Sequence, residues 1–170
     1  MVRYGVIGVG AMGREHIENL KHIPGTSVTA ISDPFADSLE RAKANINGQV
    51  KSFTDHRGLL NSGLVDAVII ATPNYTHVDV LKDALATSLH VFIEKPLCTT
   101  IEDCVSVINW SKNRTGIVWM GLEYRYMPPV AELIRIVHGG GVGEVQQVMI
   151  REHREPFYPK VGNWNRFREK

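Results

Sequence analysis

The stretch Val6-Ile7-Gly8-Val9-Gly10-Ala11-Met12-Gly13 constrains this chain more than any other. An apolar run, Tyr4 to Ile7, reads as a buried parallel strand, and it breaks into three glycines spaced GxGxxG before helical periodicity takes over at Ile17 and Leu20. Strand, glycine turn and helix in that order make a cradle for a phosphate. The first glycine permits the tight turn, the second lets backbone approach a pyrophosphate, and the third lets helix and strand pack closely. Free N–H groups and the positive end of the helix dipole then face the anion. Gly8, Gly10, Ala11, Met12 and Gly13 are therefore the candidate pyrophosphate contacts.

Glycines also gather in ordinary turns, so this motif takes its weight from context. Val28-Thr29-Ala30-Ile31 is a second β-branched run, and it ends at Ser32-Asp33, about 20 residues after the third glycine, where an acidic side chain accepts hydrogen bonds from an adenosine ribose. Asp33-Pro34 also reads as a turn, and the two roles are compatible. A carboxylate there repels a 2′-phosphate, and no arginine follows immediately to attract one. The expected cofactor is thus NAD in preference to NADP.

A chain of 170 residues, 44% hydrophobic and 22% charged, is long enough for one good core and short for two complete domains. Its net charge of +1 gives no electrostatic reason to expect nucleic acid or an anionic membrane as a partner. No basic leader and no long apolar segment is visible, so the expected location is the cytoplasm. Cys98 and Cys104 fit neither a disulfide framework nor a zinc spacing and read as reduced packing residues; no metal site is expected.

Strands and helices alternate along the chain. The spacing predicts a helix over 11–22, a strand over 28–32, a helix running from about Leu39 to Asn47-Gly48, a short strand over 50–53 and a helix capped by Asp55. Asp66 to Ala71 is the clearest strand, a continuous apolar run of the kind a sheet covered on both faces requires. Thr76 with Asp79, and Thr100 with Asp103, resemble capping pairs opening two further helices; strands are expected over 90–93 and 117–122. Pro128 and Pro129 open another helix, Gly139-Gly140-Gly141 ends it, and Val145 to Ile150 reads as a strand. The expected fold is α/β, a doubly wound parallel sheet over residues 1–122, followed over 123–170 by the start of a second, α+β domain. Ligands in such sheets bind beyond the carboxyl ends of the strands, where Gly8 to Gly13, Asp33, Thr72 to His77 and Glu94 to Pro96 all fall. The strand from Val145 has no following strand to pair with, which predicts self-association through its open edge. The aromatics of the irregular tail, Trp164 and Phe167 beside Pro156 and Pro159, likewise call for a partner surface.

His90-Val91-Phe92-Ile93-Glu94-Lys95-Pro96-Leu97, preceded by Ala71-Thr72-Pro73-Asn74-Tyr75-Thr76-His77 and by the glycine motif, resembles the glucose-fructose oxidoreductase, inositol dehydrogenase and MocA (Gfo/Idh/MocA) family. Three motifs in the right order and separation carry the likeness, and Gly141-Val142-Gly143-Glu144-Val145 resembles the family's entry into its second domain. The resemblance implies an enzyme that moves hydride between a nicotinamide cofactor and a hydroxyl or carbonyl carbon of a sugar, polyol or related molecule. It makes Lys95 the active-site lysine, a reasonable role for an ammonium that donates a hydrogen bond to the reacting oxygen and stabilises its negative charge. It puts Glu94 near the nicotinamide ribose, makes Pro96 the residue that holds the lysine's backbone in an unusual turn, open to a cis bond, and puts Thr72, Pro73, Asn74 and His77 in the loop lining the dinucleotide. His77 also reads as a first-turn helix residue touching nothing.

The family's Asp-x-x-x-His motif, whose histidine serves as acid and base, is absent from the sequence. His153 sits among alternating charges and reads as an exposed face residue rather than a substitute. Arg125 and Trp164 are candidates for the border of a substrate pocket, or for packing. Two readings follow: an NAD-dependent dehydrogenase of this family, slowed about 10²–10⁴-fold where the acid-base histidine is lacking, or a catalytically incomplete dinucleotide-binding sensor or scaffold of the same fold.

Overall fold

The computed structural model describes residues 1–153 and, beyond them, Pro156, Lys160 and Trp164; Pro159 and Phe167 lie outside the described residues. Two compact units are present, one built on Met1–Gly121 and one beginning at Leu122.

In the first unit six strands form one sheet: β1 (Val2–Ile7), β2 (Thr26–Ser32), β3 (Lys51–Phe53), β4 (Ala67–Ile70), β5 (His90–Glu94) and β6 (Val118–Gly121). Their order is β3-β2-β1-β4-β5-β6, and every neighbouring pair is parallel. That order belongs to the doubly wound dinucleotide-binding folds. The connecting helices are α1 (Ala11–Leu20), α2 (Ala36–Lys43), α3 (His56–Leu60), α4 (His77–Leu85) and α5 (Ile101–Ser111).

Alternation along the strands divides the core into two layers. Ile7, Ala30, Val68, Ile70, Val91 and Ile93 pack on one face with Leu59, Leu81 and Val107, whereas Val6, Ile31 and Ile69 pack on the other with Ile17, Leu20, Leu39 and Ala42. Each of the valine, leucine and isoleucine side chains contributes roughly 1.5–3 kcal/mol by leaving water. All four residues of β4 are buried, which is why its sequence is apolar without alternation. Arg3 and Asp66 fasten the other end of the sheet: the guanidinium and the backbone N–H of Arg3 both donate to the Asp66 carboxylate. That pairing holds the Asp66 carboxyl down to about 2.

Several element ends differ from expectation. α1 stops at Leu20 and α2 at Lys43, short of Asn47-Gly48. Thr76 does not cap α4: its hydroxyl donates to the Thr72 hydroxyl and the Pro73 carbonyl, so it closes the short 3₁₀ turn Asn74–Thr76 instead. Asp55 and Thr100 do cap α3 and α5, accepting from the N–H groups of Arg57 and Asp103.

The second unit opens with a 3₁₀ turn, Glu123–Tyr126, and the helix α6 (Pro128–His138), with prolines in its first turn and Arg135 and His138 in its last. The tyrosine hydroxyl of Tyr124 bonds the carboxylate of Glu152. The strand expected over Val145–Ile150 is a correction: these residues form no strand, and all of them are exposed. Their apolar side chains have no neighbouring strand within the described residues, so nothing repays ordering an extended backbone there. The open edge on which self-association was argued is absent with it. No helix among the described residues is long and apolar enough to cross a membrane.

Candidate functional site

β1 ends at the point in the sheet where the winding direction reverses, between β2 and β4. Gly8 follows with φ of +83°, and a Cβ placed on it would stand 2.8 Å from the backbone of Ala71 and Thr72. Only glycine lets the two chains run this close. Gly13 meets a different limit, since a Cβ there would lie 2.0 Å from the Gly8 carbonyl oxygen. At Gly10 a Cβ would meet nothing within 4 Å. Gly10 also caps α1 without offering a side-chain acceptor, which leaves the first N–H groups of a ten-residue helix facing an open cradle. A pyrophosphate fits there: two glycines are required by protein, and the third keeps space clear. Met12 is half-buried and Ala11 exposed.

Asp33 stands just beyond β2 and is 7% exposed. One carboxylate oxygen accepts from the Val9 N–H at 3.0 Å and the other from the Phe35 N–H at 2.9 Å. The second bond is the turn read at Asp33-Pro34, and the first ties the end of β2 to the glycine loop. Each oxygen retains a further lone pair for a ribose hydroxyl.

Beyond β4, Thr72, Pro73 and Asn74 are half-buried and lead through the 3₁₀ turn into α4. His77 departs from the expectation that it touches nothing. Its side chain is completely buried, with Nδ1 2.8 Å from the Pro96 carbonyl oxygen and Nε2 3.0 Å from that of Thr72. It therefore lies behind the loop and not on its open surface.

At the end of β5, Glu94 is half-buried, Lys95 and Pro96 are exposed, and the Lys95–Pro96 bond is cis. The Glu94 side chain reaches α1, its Oε1 lying 2.7 Å from Nε2 of His16. Burial raises its carboxyl, but the His16 hydrogen bond and charge, with the Lys95 N–H and charge, outweigh that and hold it below the usual range. His16 also sets its ring edge-on to Phe92, centroids 5.3 Å apart. Sequence reasoning missed His16, because 78 positions separate it from Glu94. Arg14, which donates to the Val9 carbonyl and braces the glycine loop, was missed for a related reason, as helical periodicity marks it only as polar.

The structure thus gathers Gly8 to Gly13, Asp33, Thr72 to Asn74 and Glu94 to Pro96 at the carboxyl edge of one parallel sheet. Arg125 is exposed in the second unit, and Trp164 is half-buried. Among the described residues no group of three or more His, Cys, Asp or Glu side chains could hold a metal.

The family described as "Oxidoreductase family, NAD-binding Rossmann fold" matches residues 2–122. The chain belongs to the Gfo/Idh/MocA family. The cofactor named for the family's fold is NAD, as the acid at position 33 led us to expect. Among curated members, inositol 2-dehydrogenase of Salmonella typhimurium is 31% identical over 161 residues, 94% of this chain and 48% of that protein. Inositol 2-dehydrogenase 4 of Saccharopolyspora erythraea is 36% identical over 146 residues, 84% of this chain and 42% of that protein. Among solved structures, myo-inositol dehydrogenase from Lactobacillus casei in complex with NAD(H) and myo-inositol superposes with a TM-score of 0.80 at 30% identity, covering 84% of this chain and 43% of that one. The chain spans about half the length of these Gfo/Idh/MocA relatives.

Proposed function

We propose that this Gfo/Idh/MocA protein is an NAD-dependent oxidoreductase of the cytoplasm that interconverts a secondary hydroxyl and a carbonyl on a cyclic polyol or sugar of the inositol kind. The observation that carries the reading is the juxtaposition of an open three-glycine cradle with an exposed lysine at the end of β5, on one sheet edge. The inositol dehydrogenases among its relatives supply the substrate class.

In this reading the N–H groups of Gly10, Ala11, Met12 and Gly13 hold the pyrophosphate, Gly8 keeps the loop close to Thr72, and Asp33 takes the adenosine ribose. Thr72, Pro73 and Asn74 line the nicotinamide half, with Glu94 beside its ribose and Pro96 shaping the turn that carries Lys95. NAD, when bound, supplies the acceptor for the hydride leaving the alcohol carbon. Lys95 donates a hydrogen bond to the reacting oxygen and stabilises the negative charge that gathers there as the hydroxyl proton passes to solvent water. Self-association through residues 123–170 belongs to the same reading, to be read by light scattering.

The test is NADH formation at 340 nm from NAD and myo-inositol, scyllo-inositol or glucose, with Lys95→Met beside the wild type. Turnover by the wild type that falls at least about 10²-fold in Lys95→Met, with NADH affinity unchanged, supports the assignment. Turnover retained in Lys95→Met overturns the lysine's role. Binding of NADH with no turnover on any polyol or sugar would favour the sensor or scaffold reading.

A further inference from the structure

We infer that His77 is the positioning residue that locks the two nicotinamide-side loops into one piece and so fixes Lys95 relative to Thr72–Asn74. The inference rests on the dinucleotide reading above but concerns a residue that touches neither cofactor nor substrate.

β4 and β5 are neighbours in the sheet, and their last paired residues are Ile70 and Ile93. Beyond that pair the ladder stops, yet both chains go on to carry candidate site residues. The imidazole of His77 bridges them at that point. Its two nitrogens face the carbonyl oxygens of Thr72, just past β4, and of Pro96, just past β5, at 3.0 and 2.8 Å. Carbonyl oxygens only accept, so a neutral ring donates to one loop and packs its other nitrogen against the second, and it donates to both only when both nitrogens carry a proton.

The ring is anchored from behind. His77 is the first residue of α4, whose Val80, Leu81, Ala84 and Leu85 are buried in the core. The loop before it is stiffened by the Thr76 hydroxyl on Thr72 and Pro73. Lys95 is therefore restrained from both sides: through Glu94, which pairs with Gly121 of β6, and through Pro96, which His77 holds. A completely buried imidazole is costly to place without a hydrogen-bond partner, and the two partners its nitrogens face are the carbonyls of these two loops.

The test compares ADP with NADH. ADP lacks the nicotinamide ribose and engages only the glycine loop and Asp33, whereas NADH also engages the loops that His77 joins. His77→Phe keeps a flat ring, slightly larger, and removes both ring nitrogens; His77→Gln restores a donor. We expect ADP affinity to stay within about twofold in His77→Phe while NADH affinity falls about tenfold, with His77→Gln between them. Hydrogen exchange should quicken together in residues 72–76 and 95–98, and not in β1 or β2. A folded variant that keeps the wild-type ratio of the two affinities, or that loses both equally, overturns the inference. So does unchanged exchange in either loop, a readout available in His77→Gln if His77→Phe does not fold. Failure of the dinucleotide reading has a separate appearance: the wild type itself binds neither ligand, and loop exchange alone then decides the role of His77.

Discussion

Two segments, Ala67–Ile70 and Val145–Ile150, both read as strands in the sequence and end differently. The first is β4, buried throughout between β1 and β5. The second is exposed backbone without strand pairing, with Val148 71% and Ile150 86% accessible. The difference teaches that an apolar β-branched run is a strand only where neighbours on both sides take up its N–H and C=O groups and helices cover its faces. β4 receives those neighbours from the chain's own winding, and residues 144–150 do not.

That contrast is broken most directly by truncating one side chain in each run. Ile70→Ala should lower the unfolding free energy in urea by about 2–5 kcal/mol, because its cavity forms in a filled layer. Ile150→Ala should change it by no more than about 0.5 kcal/mol. Equal effects would show that the two runs are packed alike.

A smaller effect is expected where β2 meets the glycine loop. Asp33→Ala strands the Val9 and Phe35 N–H groups, one of them buried, and should cost about 1–3 kcal/mol. It should also weaken NADH binding and narrow the preference over NADPH; an unchanged ratio removes Asp33 from the ribose. At the opposite end of the sheet, the Asp66 carboxyl is held down to about 2 by Arg3. A group lowered in the folded state stabilises above its unfolded value and loses that contribution as pH falls toward 2. Because the pair is on the surface, its contribution is small: Asp66→Asn should lower stability slightly at neutral pH and not at all near pH 2, which flattens the acid limb of an unfolding titration below about pH 4. The least effect concerns Cys98, whose thiol is pushed up to about 12, first by burial and then by Cys104 and Asp103. Native protein at pH 8 should leave Cys98 unalkylated by iodoacetamide, with no change in stability to measure; rapid labelling would show that this layer opens.

The parts of the molecule legible in its sequence are those whose cause is local. Gly8 and Gly13 are fixed by close backbone approach, β4 by continuous burial, and Thr100 by an acceptor three residues before the N–H it caps. Reading failed where a nearer competitor took the group. The Thr76 hydroxyl finds Thr72 and Pro73 before it can cap α4. It failed again where the partner is distant in sequence, as for His16 with Glu94 and for His77 with Pro96, since no periodicity marks a pairing made only by the sheet order. Lys95 is singled out by motif alone, and nothing in its neighbours' polarity distinguishes it from a solvated surface lysine.

The measurement that bears most directly on the account is a fluorescence titration of the chain with NADH and, separately, with NADPH. The account predicts saturable binding of NADH, weaker binding of NADPH, and loss of both in Gly13→Val, whose Cβ would collide with the Gly8 carbonyl. No saturable NADH binding by folded wild-type protein, or NADPH bound as tightly as NADH, would contradict it.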